Sequence, residues 1–226
     1  MITTVVFDAD ETLIDIRPAV RSALGVVLAE MRRLAPAAGA VTMADLEADW
    51  RVASDALATE PIEIIRRYAL ARSLARVGLE SELDRITKLF FTHRFAMTRV
   101  YADVPAVLAA LGSSYRIGYA TNGNTPAHRV GLAGKFLFEV YAGLDGVPKK
   151  PAAGFYAAVV TAARCDPGSI VHVGDNWEHD IAGAAAAGLR TIWLNRSGLP
   201  RPVDLPAVPD AEIRTLAQLP AALTRC

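Results

Sequence analysis

The chain has 226 residues, of which 52% are hydrophobic, so it can bury one large core or one core with a smaller partner domain. Its 24 basic and 24 acidic residues give no net charge, and no run of like charges stands out, which argues against nucleic acid as a partner. No apolar stretch reaches the roughly 20 residues of a membrane-spanning helix, and the first residues do not resemble a secretory signal, so we expect a soluble cytoplasmic protein.

The first predicted strand is followed by a long helical stretch. Thr3–Phe7 is a short run of β-branched and aromatic residues before an acid, which predicts a buried strand with a charged group at its carboxyl end. No strand pattern occurs between Pro18 and about Met97, where residues that commonly begin helices recur. The predicted helix starts are Pro18, Thr42, Pro61 and Ser81. We therefore predict an inserted four-helix domain at residues 15–99.

Three further strands are predicted after the insertion. They are Tyr115–Ala120, Ile170–Val173 and Thr191–Leu194, and helical segments lie beside each at the spacing of βα units. This alternation predicts an α/β fold with a doubly wound parallel sheet. We expect residues 1–14 and 100–226 to form that sheet core.

The last part of the chain is rich in proline. Residues 197–210 are predicted to be an irregular connection before a last strand and helix because they contain Pro200, Pro202, Pro206 and Pro209. The two cysteines, Cys165 and Cys226, have no spacing typical of a disulfide framework or a metal site. We interpret both as reduced thiols without a role.

Two carboxylates directly follow the first predicted strand. Asp8 and Asp10 lie where open parallel sheets bind ligands, beyond the carboxyl ends of the strands. Residues two apart on a strand face the same way, but the chain leaves the strand at Asp10, so the two groups can take different positions around one reacting atom. An isolated pair of acids after a strand more commonly caps a turn, and the other strand ends must decide between the two interpretations.

Another predicted strand end carries a hydroxyl and an amide, and a lysine precedes a helix. Thr121, Asn122 and Gly123 offer a hydroxyl, a side-chain amide and backbone N–H groups, so we predict that Thr121 and Asn122 bind phosphate. Lys150 is one of only four lysines and precedes Pro151, which suits a first helical turn. Its ammonium is therefore predicted to lie near the same edge of the sheet.

A second acidic cluster follows the strand Ile170–Val173. Asp175 is predicted to lie closest to the shared edge, while Asp180 opens the next helix, where it either orients a ligand or complements the helix dipole. Carboxylates can approach a phosphoryl group only when a divalent cation neutralises them, and Mg²⁺ prefers such oxygen ligands. These groups together predict a phosphoryl-transfer site with a Mg²⁺ cofactor.

The combined motifs closely resemble those of the haloacid dehalogenase superfamily of phosphohydrolases. The four motifs occur in order at residues 8–13, 121–123, 150–151 and 174–180. The insertion resembles the family's small α-helical cap only in placement and helicity. Two positions depart from the family pattern: Glu11 replaces a commoner glycine, and residues 152–154 replace an Asp-Pro step. Neither departure removes a chemical group.

The resemblance implies a Mg²⁺-dependent phosphatase that acts on a small phosphorylated metabolite. Asp8 would attack phosphorus to form an aspartyl-phosphate, and Asp10 would protonate the leaving oxygen and later deprotonate water. It also implies a set of ligands: Asp8, the Asp10 backbone carbonyl and Asp175 for Mg²⁺, Thr121 and Lys150 for the phosphoryl oxygens, and Asp180 as a support behind them.

Several other functions use part of this set of residues. Haloacid dehalogenases need no metal and lack an aspartate two residues after the nucleophile, so Asp10 argues against them. Phosphomutases share all four motifs and stay open as the alternative, whereas a phosphonate hydrolase would need a cap lysine, for which only Lys88 is present. A receiver domain would not carry so large an insertion. A phosphoryl-binding protein without activity is disfavoured because every required group is present.

Four further residues are weaker candidates. His93 falls on an apolar helical stripe, which favours a core histidine over a ligand. His128 and Arg129 follow the second motif, where a solvated helix start is the favoured interpretation. Arg17 lies where the chain enters the insertion and is a candidate for contacting a second anionic group of a substrate. The sequence leaves the substrate and the oligomeric state open.

Overall fold

A computed structural model describes residues 1–202 and 207–225 of the chain. Pro206, which belongs to the predicted proline-rich connection, and Cys226 lie outside the described residues. None of the described helices is both long enough and apolar enough to cross a membrane.

The chain divides into two compact units. Met1–Asp15 and Val100–Cys226 form one, which we call the core unit, and Ile16–Arg99 forms the other, which we call the helical unit. The division lies one residue later in the chain than the predicted boundary after residue 14.

The core unit contains a parallel sheet. The strands of the described chain are β1 (Thr4–Phe7), β2 (Ile14–Asp15), β3 (Arg99–Val100), β4 (Arg116–Thr121), β5 (Phe138–Tyr141), β6 (Ile170–Gly174), β7 (Arg190–Leu194) and β8 (Ala211–Ile213). Six of them form one sheet in the order β5-β4-β1-β6-β7-β8 with every neighbouring pair parallel, and β2 pairs with β3. The strand order reverses beside β1, which is where such sheets open a crevice at their carboxyl ends. The predicted α/β fold is confirmed.

Helices accompany the sheet and make up the helical unit. The α-helices of the described residues are α1 (Ile16–Leu34), α2 (Met43–Ala56), α3 (Ile62–Ala75), α4 (Leu83–Met97), α5 (Val104–Leu111), α6 (Ala153–Ala163), α7 (Gly183–Ala186) and α8 (Leu219–Leu223). A π-helix spans Trp177–Ala182, and short 3₁₀ helices occur at Pro36–Ala40, Glu80–Glu82, Ala127–Val130, Pro167–Ser169 and Leu216–Gln218. The first four α-helices lie within the insertion.

Burial explains which strands the sequence reveals. Val5, Val6 and Phe7 of β1 have no exposed surface, as expected for a parallel strand covered on both faces. Because every side chain is buried, the sequence of β1 is a continuous apolar run that can be recognised. By contrast β5 lies at the edge of the sheet and alternates Phe138 and Val140 with the exposed Glu139. A four-residue edge strand with a charge inside it gives too short a pattern to recognise, and the sequence analysis missed it.

Three of the four predicted helix starts agree with the structure and one does not. Pro18 lies in the first turn of α1, which begins at Ile16. Thr42 caps α2 through a capping box in which its hydroxyl accepts from the Asp45 backbone N–H while the Asp45 side chain accepts from the Thr42 N–H. Pro61 precedes α3 as predicted. The prediction for Ser81 is wrong, because Ser81 lies inside a 3₁₀ turn and α4 begins only at Leu83. Glu80 and Glu82 flank Ser81 in this turn, which precedes the helix.

Candidate active site

Lys150 is the centre of a buried cluster of charges at the carboxyl edge of the sheet. Its Nζ donates to Asp8 Oδ1 at 2.5 Å, to Asp180 Oδ1 at 2.7 Å and to the Ala120 carbonyl at 3.3 Å. Burial alone would lower the pKa of Lys150, but the charges of Asp180 and Asp8 outweigh it and raise the pKa above its usual value. Lys150 therefore stays positively charged. It forms hydrogen bonds with both Asp8 and Asp180, so three of the predicted site residues are in contact.

Asn122 fixes the main chain of Lys150. Its Oδ1 accepts from the Lys150 backbone N–H at 2.8 Å, and its Nδ2 donates to the Lys150 carbonyl at 3.0 Å. The Lys150–Pro151 peptide bond that follows is cis. The amide that the sequence analysis assigned to phosphate thus holds the lysine in position from the neighbouring loop.

Asp180 is held by groups on three sides. His172 Nε2 lies 3.0 Å from Asp180 Oδ1, and the backbone N–H of Asn176 donates to Oδ2 at 3.0 Å. Residues two apart on a strand face the same way, so His172 and Gly174 of β6 both face this carboxylate, and a Cβ at Gly174 would collide with it. Burial raises the pKa of Asp180, but Lys150 and the His172 hydrogen bond overcome that effect and hold it well below its usual range. Asp180 is therefore an anion whose two oxygens both accept hydrogen bonds.

His172 is a neutral partner in this cluster. It has no exposed surface, and burial lowers its pKa, so the imidazole is uncharged near neutral pH. The Asp180 carboxylate can only accept a hydrogen bond, so the proton of His172 is on Nε2. The strand that contains His172 was predicted from the sequence, but the role of this histidine was not. A polar residue inside the run Ile170–Val173 was the available signal.

Three carboxylates of the cluster form a candidate metal site. Oxygen atoms of Asp8, Asp175 and Asp180 all lie within 4.8 Å of one another. Burial raises the pKa of Asp8 well above its usual value despite the attraction of Lys150, and burial together with Asp180 raises the pKa of Asp175 to about 7. One lysine cannot neutralise three ionised carboxylates. The remaining negative charge and the all-oxygen donor set fit a divalent cation such as Mg²⁺. Because both Asp180 oxygens are engaged, Asp8 and Asp175 fit as direct ligands.

Asp10 and Thr121 lie on either side of Gly123. A Cβ at Gly123 would fall 2.6 Å from Asp10 Oδ2 and 3.2 Å from Thr121 Oγ1, so any larger residue would displace the Asp10 carboxylate. The Gly123 backbone N–H donates to Thr121 Oγ1 at 2.8 Å, which leaves the hydroxyl proton of Thr121 able to donate to another oxygen. The close approach brings the second predicted catalytic carboxylate to the loop that carries a predicted phosphate ligand.

The loop that carries Asp8 and Asp10 is anchored by Arg196. The Arg196 guanidinium forms two hydrogen bonds of 3.0 Å with Asp103, donates to the Thr12 carbonyl at 3.1 Å and stacks on Tyr101 with 3.9 Å to the ring centroid. Tyr101 in turn donates from its backbone to the Leu13 carbonyl. Arg196 was not predicted from the sequence, since only the fold brings residues 103 and 196 together.

Glu11 occupies a left-handed backbone position in this loop, with φ of 61°. Glycine adopts that conformation without steric cost, which accounts for the commoner residue at this position in the family. We predict that Glu11→Gly is more stable than Glu11→Ala by about 1 kcal/mol, because only alanine retains a Cβ at positive φ. Urea unfolding of both variants measures the difference. Equal stabilities would contradict this account of the loop.

The weaker candidates have these positions. In the helical unit Arg17 is exposed near the start of α1, and His93 Nε2 lies 2.8 Å from Ser22 Oγ. His128 and Arg129 are exposed on the 3₁₀ turn Ala127–Val130. The hydrogen bond of His93 agrees with its interpretation as a structural histidine.

The chain is similar to known hydrolases in sequence and in structure. The family model described as haloacid dehalogenase-like hydrolase matches residues 2–188. The 5-amino-6-(5-phospho-D-ribitylamino)uracil phosphatase YigB of Escherichia coli is 27% identical over 96% of this chain and 94% of its own, and the phosphoserine phosphatase of Thermus thermophilus is 31% identical over 68% and 63%. The solved structure of a 2-haloacid dehalogenase from Pseudomonas syringae is 33% identical with a TM-score of 0.82, covering 100% of this chain and 99% of that one.

Proposed function

The chain belongs to the haloacid dehalogenase-like hydrolase family, and we propose that it is a Mg²⁺-dependent phosphatase of small phosphorylated metabolites. The observation that carries the proposal is the buried contact of Lys150 with Asp8 and Asp180, beside Asp175. A lysine and an oxygen-only metal site that meet at one carboxylate form a receptor for a phosphoryl group. The phosphatase names of the curated relatives support the same chemistry.

In the proposed reaction Asp8 is the nucleophile. Its carboxylate attacks phosphorus to give an aspartyl-phosphate, which water then hydrolyses. Lys150 Nζ and the Thr121 hydroxyl donate to the phosphoryl oxygens, and Asn122 keeps Lys150 in place through its main chain. Bound Mg²⁺ would neutralise the negative charge that the carboxylates and the phosphoryl group share.

Asp10 supplies the proton transfers in this proposal. Its carboxylate protonates the leaving oxygen in the first step and removes a proton from water in the second. Asp180 and His172 do not touch the substrate, and they orient Lys150 from behind. We further propose that the helical unit corresponds to the family's α-helical cap.

Dehalogenation is the competing reaction, because the Pseudomonas syringae relative and several other solved structures of this fold are named dehalogenases. Asp10 separates the two chemistries. A halide leaves as the anion of a strong acid and needs no proton, whereas an alkyl phosphate releases a basic oxygen that does. The carboxylate beside Gly123 and Thr121 is therefore an argument for phosphate esters. Phosphoryl transfer within a substrate, as in a phosphomutase, uses the same groups and differs in its product.

A single set of assays tests the proposal. The purified protein with Mg²⁺ is incubated with a panel of phosphorylated metabolites and, separately, with 2-chloropropionate. We expect inorganic phosphate from one or more esters and no chloride. Release of chloride without phosphate would identify a dehalogenase, and a rearranged phosphorylated product would identify a phosphomutase.

Removal of divalent cations should abolish phosphate release, and added Mg²⁺ should restore it. Without the cation, Asp8 and Asp175 would repel each other and the phosphate dianion. Phosphate release is measured before and after dialysis against chelator, and Asp175→Asn should weaken Mg²⁺ binding in calorimetry. Full activity in chelated protein that metal analysis shows to be free of metal would contradict the assignment.

A further inference from the structure

Arg66 is a buried cation in the core of the helical unit. It lies on α3, its residue is only 6% exposed, and its guanidinium is placed between two aromatic rings. The guanidinium carbon lies 3.7 Å from the centroid of the Trp50 ring and 4.7 Å from that of Phe90. The side chain is thus held rigidly, with its planar face covered.

No carboxylate neutralises Arg66 among residues 1–202 and 207–225, where it forms neither an ion pair nor a hydrogen bond. Burial, and next the like charge of Arg94, lowers the pKa of Arg66 to about 9, so it still carries its charge at neutral pH. The buried Asp49 shows how the same unit treats a charge with a structural role, since it is bonded to Arg76 and Ser73.

Aromatic stacking leaves the hydrogen-bonding capacity of Arg66 unused. A guanidinium donates through N–H groups at its edge, in the plane of the group, whereas a stacked aromatic ring accepts none of these hydrogen bonds. No side-chain nitrogen of Arg66 is among the buried atoms of the described residues that lack a hydrogen-bond partner, so the edge of the guanidinium reaches solvent and is accessible to a ligand. The planar edge of Arg66 matches the two oxygens of a carboxylate or phosphate.

We propose that Arg66 is the anchor of an oxyanion-binding site in the helical unit, which takes a carboxylate or a phosphate group. The oxyanion belongs to a ligand that the helical unit binds by itself, so the site does not depend on the proposed phosphatase function.

Trp50 provides a direct reporter for binding. The chain has three tryptophans, so labelling with 5-fluorotryptophan gives three fluorine resonances, and Trp50→Phe identifies the one that belongs to Trp50. Titration of the full chain with malonate, and separately with inorganic phosphate, should shift the Trp50 resonance. Arg66→Met should weaken that response at least about tenfold. Arg67→Met is the matched control, because Arg67 is the exposed neighbour that pairs with Asp84.

A purely structural role for Arg66 makes a different prediction. In that case neither anion shifts the Trp50 resonance of the wild type, or both shift it equally in Arg66→Met, and either result overturns the proposal. Arg66→Lys keeps the charge but loses the planar edge, so it should fold even if the methionine variant does not. Its response should lie between those of the wild type and Arg66→Met, and an unchanged response would also overturn the proposal.

Discussion

Asp8→Asn should lower phosphate release by at least about 10,000-fold, because a neutral amide cannot attack phosphorus to form an acyl phosphate. The replacement has nearly the same shape as aspartate, and it removes a carboxylate whose pKa burial raises, so the fold should tolerate it. Rapid quenching of the wild type with ³²P-labelled substrate should trap label on Asp8. Peptide mass spectrometry then locates the phosphoryl group.

Asp166→Asn provides the control for this experiment, since Asp166 is an exposed aspartate of the core unit at the start of a 3₁₀ turn. It should keep the wild-type rate and carry no label. Urea unfolding of Asp8→Asn shows whether lost activity reflects lost structure. Single-turnover chemistry that is resolved in time with no label on Asp8 would exclude it as the nucleophile and favour direct attack by water.

The strand ends were predictable because their chemistry is local in sequence. Asp8 and Asp175 each follow a buried strand and Thr121 is the last residue of one, and parallel strands bring their carboxyl ends to one edge. Position after a strand therefore predicts position in space. Lys150 was predicted to lie at this edge because Pro151 would open a helix. That reason is wrong, since α6 begins only at Ala153, but the ammonium of Lys150 does lie 2.5 Å from Asp8.

The supporting residues were not predictable, because their partners are distant in sequence and ordinary in type. Arg196 reaches Asp103 across 93 positions, and nothing in either local sequence announces the pair. His172 is hidden inside a strand that was recognised only for its apolar neighbours. The role of Asn122 was read from its side-chain chemistry, whereas its geometry is set by the main chain of Lys150.

The helical unit shows the same limit more strongly. The stripe that places Leu24, Val27 and Met31 in its core is a local periodic signal, and these residues are buried. In the sequence of α3, nothing distinguishes Arg66 from an arginine on an exposed helix surface. Only the structure shows that Trp50 of α2 and Phe90 of α4 pack against Arg66 of α3. The contacts of this cation therefore depend on how three helices pack, which the local sequence does not reveal.

Asp10→Asn should slow the formation of aspartyl-phosphate by about 100- to 10,000-fold for an alkyl phosphate, because the amide cannot protonate the departing oxygen. The same step should change much less for nitrophenyl phosphate, whose leaving group is a weak base. The replacement keeps the backbone carbonyl proposed as a Mg²⁺ ligand and the shape that fits beside Gly123. Rapid-quench measurement of single-turnover phosphoenzyme formation with each ester gives the comparison.

The second step provides the control within the same variant. Hydrolysis of the aspartyl-phosphate has the same intermediate whichever ester formed it, and Asp10 is proposed to activate its water, so this step should slow equally for both substrates. Phosphoenzyme should therefore accumulate with nitrophenyl phosphate in Asp10→Asn and not in the wild type. Calorimetry should show Mg²⁺ binding unchanged. If phosphoenzyme formation instead falls equally across leaving groups of very different basicity, Asp10 does not protonate the leaving oxygen, and its position beside Thr121 and Gly123 serves the geometry of the loop.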